Sequence, residues 1–194
     1  MRICFFGDSF VNGTGDDACL GWTGRLCAAA RQAGHDITHY NLGVRRDTSA
    51  DIAARWLAEA EARLPQDIDG RLVFAFGAND AADDGHGRPR LRPQHTLTNA
   101  QAILSAAKAW RPTLMIGPPP LSDPAADARL RALSQDLAQL CAGLAVPFLD
   151  VSDSLGASPW TADAVSGDGA HPNRGGYAAL AAVIGAWAGW RAWF

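Results

Sequence analysis

The chain has no C-x-x-C pair, no basic stripe and no apolar run near the ~20 residues that cross a bilayer. Each absence removes a class of function. Without a clustered row of Lys and Arg, and with a formal charge of −3, there is nothing to neutralise a phosphate backbone, so no nucleic-acid partner is expected. Without a long apolar run, no stable membrane insertion is expected either. The four cysteines, Cys4, Cys19, Cys27 and Cys141, read as buried free thiols in a reducing compartment. An apolar strand pattern begins at Arg2 and leaves no room for a signal peptide, so a cytoplasmic location is expected. No internal repeat, linker or low-complexity tract interrupts the 194 residues, and nearly half of them (48%) are hydrophobic, enough to bury one sizeable core. One domain over residues 1–194 is the expectation.

Short apolar runs alternate with alanine-rich amphipathic segments, which is the pattern of a parallel α/β sheet. Strands are predicted at Ile3–Phe6, Ile37–Leu42, Leu72–Phe76, Thr113–Ile116 and Val146–Leu149. Leu72–Phe76 is continuously apolar and suits a central strand covered on both faces, whereas Pro147 suits an edge. Helices are predicted at Leu20–Ala33, Ser49–Leu64, Gln94–Trp110, Ala125–Ala142 and Gly175–Trp193.

Four short stretches fall where such a fold binds ligands. Gly7-Asp8-Ser9-Phe10 follows the first strand, Asn41-Leu42-Gly43 the second, and Gly77-Ala78-Asn79-Asp80 the third. Near the end of the chain lies Asp168-Gly169-Ala170-His171-Pro172. Taken separately, each reads as turn composition. Together they contain a serine hydroxyl, an Asp three residues before a His, a glycine amide and an asparagine amide. Those are the parts of an acyl-transfer site: nucleophile, base, orienter of the base, and donors for an oxyanion.

These four stretches resemble the blocks of the SGNH (GDSL-type) hydrolases, over nearly the whole chain from Gly7 to Asn173. The resemblance implies a three-layer α/β/α sandwich, flavodoxin-like, around a central parallel sheet of about five strands. It implies a serine esterase that forms an acyl-enzyme, with Ser9 as nucleophile, His171 as base and Asp168 orienting His171. The oxyanion hole would be Ser9 N–H, Gly43 N–H and the Asn79 side chain. Neither cofactor nor metal is implied. Phe10 stands where the family has leucine, and Arg45-Arg46 follow Gly43 where a second glycine is common. Small or short-chain esters are the expected substrates. Thioester hydrolysis and acetyl transfer or removal on a carbohydrate use the same residues and stay open. A flavodoxin-like module that binds without catalysis is the more distant alternative.

Several features have two readings. Arg45 and Arg46 either meet an anionic substrate group or pair with Asp47 and Asp51. Trp22 and Trp160 are placed to wall an acyl or aromatic pocket. Trp187, Trp190 and Trp193 recur every third residue, which reads as core packing or a dimer contact rather than a lipid anchor lacking its basic face. Asp83-Asp84-Gly85-His86 reads as a solvated polar loop rather than a metal site.

Overall fold

In a strand, successive side chains point to opposite faces, and this sets the layering. In the computed structural model, which describes residues 1–156 and 158–194, β1 (Arg2–Gly7) sends Ile3 and Phe5 into one apolar core and Cys4 and Phe6 into another. β2 (Thr38–Gly43), β3 (Gly70–Ala75), β4 (Thr113–Ile116) and β5 (Phe148–Leu149) complete the sheet. Every pairing is parallel and the order is β2-β1-β3-β4-β5, the flavodoxin-like order. The expected α/β/α sandwich is the observed fold. β3 is the central strand and β5 an edge, as their compositions require.

In chain order the helices are α1 (Ser9–Asn12), α2 (Gly21–Gln32), α3 (Ser49–Glu61), α4 (Ala78–Ala81) and α5 (Pro93–Trp110). They continue with α6 (Pro124–Leu144), α7 (Ser152–Gly156), α8 (Trp160–Ser166), α9 (Arg174–Ala186) and α10 (Ala188–Arg191). α2 and α9 cover the Ile3/Phe5 face, where Trp22, Trp160 and Tyr177 are fully buried. α3, α5 and α6 cover the Cys4/Phe6 face through Trp56, Ile103, Leu104 and Leu137. Side chains of this size each contribute about 1.5–3 kcal/mol when fully removed from water.

Gly7 pairs with both Gly43 and Ala75, so β1, β2 and β3 end level with one another. The segments that leave them emerge side by side at the carboxyl edge.

The structure corrects several expectations. The last helix is two: at Trp187 the backbone is extended (φ −72, ψ 135), and the Trp187 ring folds over Gly189, where a Cβ would lie 2.4 Å from it. The helix from Ser49 stops at Glu61 rather than Leu64. The fifth strand keeps only Phe148–Leu149. Cys19 is exposed, in a tight turn with φ 53, while Cys4, Cys27 and Cys141 are buried. Of the C-terminal tryptophans, Trp190 is buried against Phe5, Trp193 and Phe194. Among the described residues no helix is long and apolar enough to cross a membrane.

Candidate active site

Ser9 opens α1, immediately past the end of β1. As the first residue of a helix it has an N–H without an intrahelical partner. The turn is tight because Gly7 has no side chain: a Cβ there would lie 2.2 Å from Ala75 O and 2.3 Å from Val11 Cγ2. Asp8 caps the short helix, its Oδ1 accepting from Phe10 N–H at 2.9 Å.

His171 reaches this turn from the other end of the chain. Its Nε2 is 2.8 Å from Ser9 Oγ, and its Nδ1 is 2.7 Å from Asp168 Oδ2. The other carboxylate oxygen of Asp168 accepts the N–H groups of Ala170 (3.0 Å) and His171 (2.8 Å). One side chain therefore closes the loop and holds the imidazole. The backbone bond from His171 is the largest influence on Asp168, and with the ring contact it holds the carboxyl well below its usual range. Phe10 stacks obliquely on the imidazole, ring centres 5.2 Å apart, and rests on Trp160 at 5.6 Å.

Asn79 follows β3, and its amide is bonded on every side. Nδ2 donates to Asp8 Oδ2 (3.2 Å) and Asp47 O (3.1 Å), while Oδ1 accepts from Arg90 Nη1 (3.2 Å). The guanidinium has only donors, so it fixes which end of the amide is oxygen. Asp80, next in the chain, is spent on structure: it accepts from the Ser49 N–H and hydroxyl and from Thr96 Oγ1. Gly43 N–H donates to Asn41 Oδ1 at 3.0 Å. Glycine is required at 43 because a Cβ would lie 2.2 Å from Asn12 N and 2.7 Å from Asp8 O. The need is for close approach of β2 to the Ser9 turn, rather than for an unshielded amide alone.

Ser9, Phe10, Asn79, Asp168 and His171 line one cleft of about 620 Å³, together with Arg45, Arg46, Arg90 and Leu121. Gly43 is beside this cleft rather than in its lining. Trp22 and Trp160 are not brought to it. Trp22 is under the sheet, edge-on to Phe5 at 5.5 Å, and Trp160 donates its indole N–H to Pro120 O at 3.0 Å with its ring against Tyr177. Both are pulled inward because burying an indole on the core outweighs exposing it in an open cleft. Asp83 and Asp84 accept from amides of their own loop, at Gly85 and Gly87 and at His86 and Arg88 respectively.

Asp8 and Arg90, whose side chains hold the Asn79 amide alongside the Asp47 carbonyl, are what sequence reading missed. Asp8 carried a signal, its place between Gly7 and Ser9. Arg90 carried none, standing in a polar loop eleven residues beyond Asn79. Asp8 is almost fully buried, and burial, reinforced by Asp80 nearby, pushes its pKa up to about 7.

A hydroxyl within bonding distance of an imidazole that a carboxylate orients can lose its proton as it attacks an acyl carbon. Ser9 and Asn79 line the same cleft. Among the described residues the Ser9 N–H has no hydrogen-bond acceptor, whereas both Asn79 Nδ2 hydrogens are engaged by Asp8 and Asp47. A preorganised N–H of this kind can stabilise charge developing on an acyl oxygen.

Among known proteins, the family described as GDSL-like lipase/acylhydrolase matches residues 5–179. Of solved structures, a lipase/acylhydrolase from Enterococcus faecalis is 24% identical, with 95% of this chain and 93% of that chain covered and a TM-score of 0.79. An acetylxylan esterase from Geobacillus stearothermophilus is 17% identical, covering 94% and 91%, with a TM-score of 0.76. An α/β hydrolase from the metagenome of Lake Arreo, Spain, is 19% identical, covering 94% and 92%, with a TM-score of 0.75. At these identities the structural likeness establishes the fold. No curated protein matches the chain.

Proposed function

This chain belongs to the GDSL-like lipase/acylhydrolase family and is a carboxylic-ester hydrolase, and from that premise we propose that it cleaves small or short-chain esters through an acyl-enzyme on Ser9. The observation that carries the reading is the unbroken line Asp168 Oδ2–His171 Nδ1 (2.7 Å) and His171 Nε2–Ser9 Oγ (2.8 Å), opening on the cleft. Ser9 Oγ attacks the ester carbon while His171 Nε2 takes its proton. Asp168 stabilises the imidazolium that results. The oxyanion accepts from Ser9 N–H, with Asn79 Nδ2 and Gly43 N–H as further donors when their bonds to Asp8 or Asp47 and to Asn41 are shared. His171 then returns the proton to the leaving alcohol oxygen. Water repeats the sequence on the acyl-enzyme, releasing the acid and restoring Ser9.

The cleft supports small substrates because its apolar lining is limited to Phe10, Leu121 and a few alanines, too little to sheath a long acyl chain. Removal of acetyl groups from a carbohydrate is the second reading, favoured by the polar cleft rim and by the acetylxylan esterase that shares the fold. Free thiols at Cys4, Cys27 and Cys141 support a reducing compartment such as the cytoplasm.

The test is hydrolysis of p-nitrophenyl esters from acetate to laurate, alongside acetylated xylo-oligosaccharides, by the wild type and Ser9→Ala. Turnover on short esters that falls by about 10³-fold or more in the variant is expected. Equal rates in the two proteins would remove Ser9 from the mechanism.

A further inference from the structure

The cleft around Ser9 is positive although the chain is not. Three arginines, Arg45, Arg46 and Arg90, line it against two aspartates, Asp83 and Asp168, while the whole chain carries −3. The acids that would neutralise the Arg45-Arg46 pair are engaged elsewhere. Asp47 is held by Arg55 Nε at 2.7 Å. Asp51 accepts from the N–H and hydroxyl of Thr48 at 2.8 and 2.7 Å. Arg45 comes only within 3.7 Å of Asp168, whose oxygens are already bonded to His171 and to the loop amides. Among the described residues neither the Arg45 nor the Arg46 guanidinium meets an acceptor at hydrogen-bonding distance.

The backbone is bent to put these groups there. Arg45 and Arg46 form the tip of a turn closed by Asp47 N–H on Val44 O at 3.2 Å. Arg46 sits at φ 74, where glycine would be unstrained and an arginine is strained. Its carbonyl accepts from Arg90 Nη1 at 3.1 Å, the same nitrogen that holds Asn79 Oδ1. That tie keeps the strained turn against the reacting centre. Arg90 thus flanks the oxyanion side of Ser9 and Arg45 the Asp168–His171 side, so the positive groups bracket the place where an ester would lie.

Resting on the esterase reading, we propose that the natural substrate is an ester bearing a carboxylate, bound in this cleft by Arg45, Arg46 and Arg90. A guanidinium is planar and offers paired donors that match the two oxygens of a carboxylate. The excess of one positive charge suits a monoanion better than a phosphate dianion. A neutral ester of the same shape leaves these donors to water and gains nothing from the field that the cleft walls focus.

The experiment compares anionic esters with neutral isosteres on the purified full chain. Monoethyl glutarate against ethyl 4-carbamoylbutanoate places the charge on the acyl part. 4-Acetoxybenzoate against 4-acetoxybenzamide places it on the alcohol part. The quantity read is the ratio of kcat/KM, anionic over neutral, for the wild type, Arg45→Gln, Arg46→Gln and Arg90→Gln. Arg45 and Arg90 also touch Asp168 and Asn79, so the ratio within a pair cancels any change in the chemical step. We expect about a 10-fold preference for the anion in one pair, and that pair reveals which part of the substrate carries the carboxylate. The preference should shrink in about 0.5 M salt, and it should fall about 3-fold or more with each arginine removed. Ratios near or below one in both pairs, or a preference indifferent to all three substitutions, would overturn the inference and leave the esterase standing. No Ser9-dependent hydrolysis of any of these esters would overturn both.

Discussion

The two halves of the cleft are held in place by different means. Ser9 and Asn79, with Gly43 at their side, leave three parallel strands whose ends are level, Gly7 pairing with Gly43 and with Ala75. They are packed so tightly that Gly7 and Gly43 have no room for a Cβ. Asp168 and His171 come instead from a loop between α8 and α9, and the Asp168 side chain is 47% exposed. That loop is tied by its own turn bonds, by Asp163 Oδ2 on Gly176 N–H (2.8 Å), and by Tyr177 Oη donating to Thr14 O (2.7 Å). Gly15 completes the seat: at φ 91 it lets the chain pass where a Cβ would lie 2.8 Å from Pro172 O and 3.2 Å from His171 Cβ. Register positions the first half at the expense of any freedom to vary, whereas the second is positioned by a few polar contacts that can be changed without disturbing the sheet.

That contrast can be broken experimentally, beginning with the largest effect. Asp168→Asn keeps an oxygen for the Ala170 and His171 amides but no longer presents a charge to His171 Nδ1. The expected result is a loss of about 10³–10⁴ in kcat with Tm nearly unchanged, read by ester turnover and thermal unfolding of the same sample. A fall in Tm comparable to the loss from a strand-end substitution would erase the distinction. Gly43→Ala is that strand-end substitution. Its methyl meets backbone atoms of Asn12 and Asp8, which cannot move without the sheet. A destabilisation of about 3 kcal/mol or more is expected from denaturant unfolding.

Asp8 sharpens the comparison through pH. Its folded pKa is raised to about 7 from an ordinary 3.8. Between these values the native state holds a proton that the unfolded chain has lost, so stability falls as pH rises through that window and levels off above it. Asp8→Asn should flatten this slope, measured as the urea midpoint at pH 5 and pH 8. An unaltered slope would place the titrating group elsewhere. The smallest effect is expected at Gly169→Ala, in the loop half. Only the left-handed φ of 85 opposes the methyl, since no atom lies within 4 Å of it. About 1 kcal/mol should be lost, with kcat little changed.

The strand-end half was legible in the sequence because its signals are local. A continuous apolar run such as Leu72–Phe76 names a buried strand, and the residue after it must stand at the carboxyl edge of a parallel sheet. Asp168 and His171 were legible through their spacing on one loop. Trp22 and Trp160 were misplaced because an aromatic beside a motif carries no sign of which way its ring turns. Arg90 was invisible for a related reason: its contact with Asn79 crosses a polar loop with no periodicity to read.

By itself, then, the sequence determined the alternation of strand and helix, the strand ends that carry Ser9, Gly43 and Asn79, and the loop bearing Asp168 and His171. All of these come from side-chain period and backbone restriction within a few residues. Tertiary structure alone decided the 2.8 Å approach of His171 Nε2 to Ser9 Oγ across 162 positions, the inward turn of the tryptophans, and the gathering of Arg45, Arg46 and Arg90 about one cleft. Such contacts join segments that only the sheet order and the packing of both its faces bring together, and no local pattern encodes a distance between them.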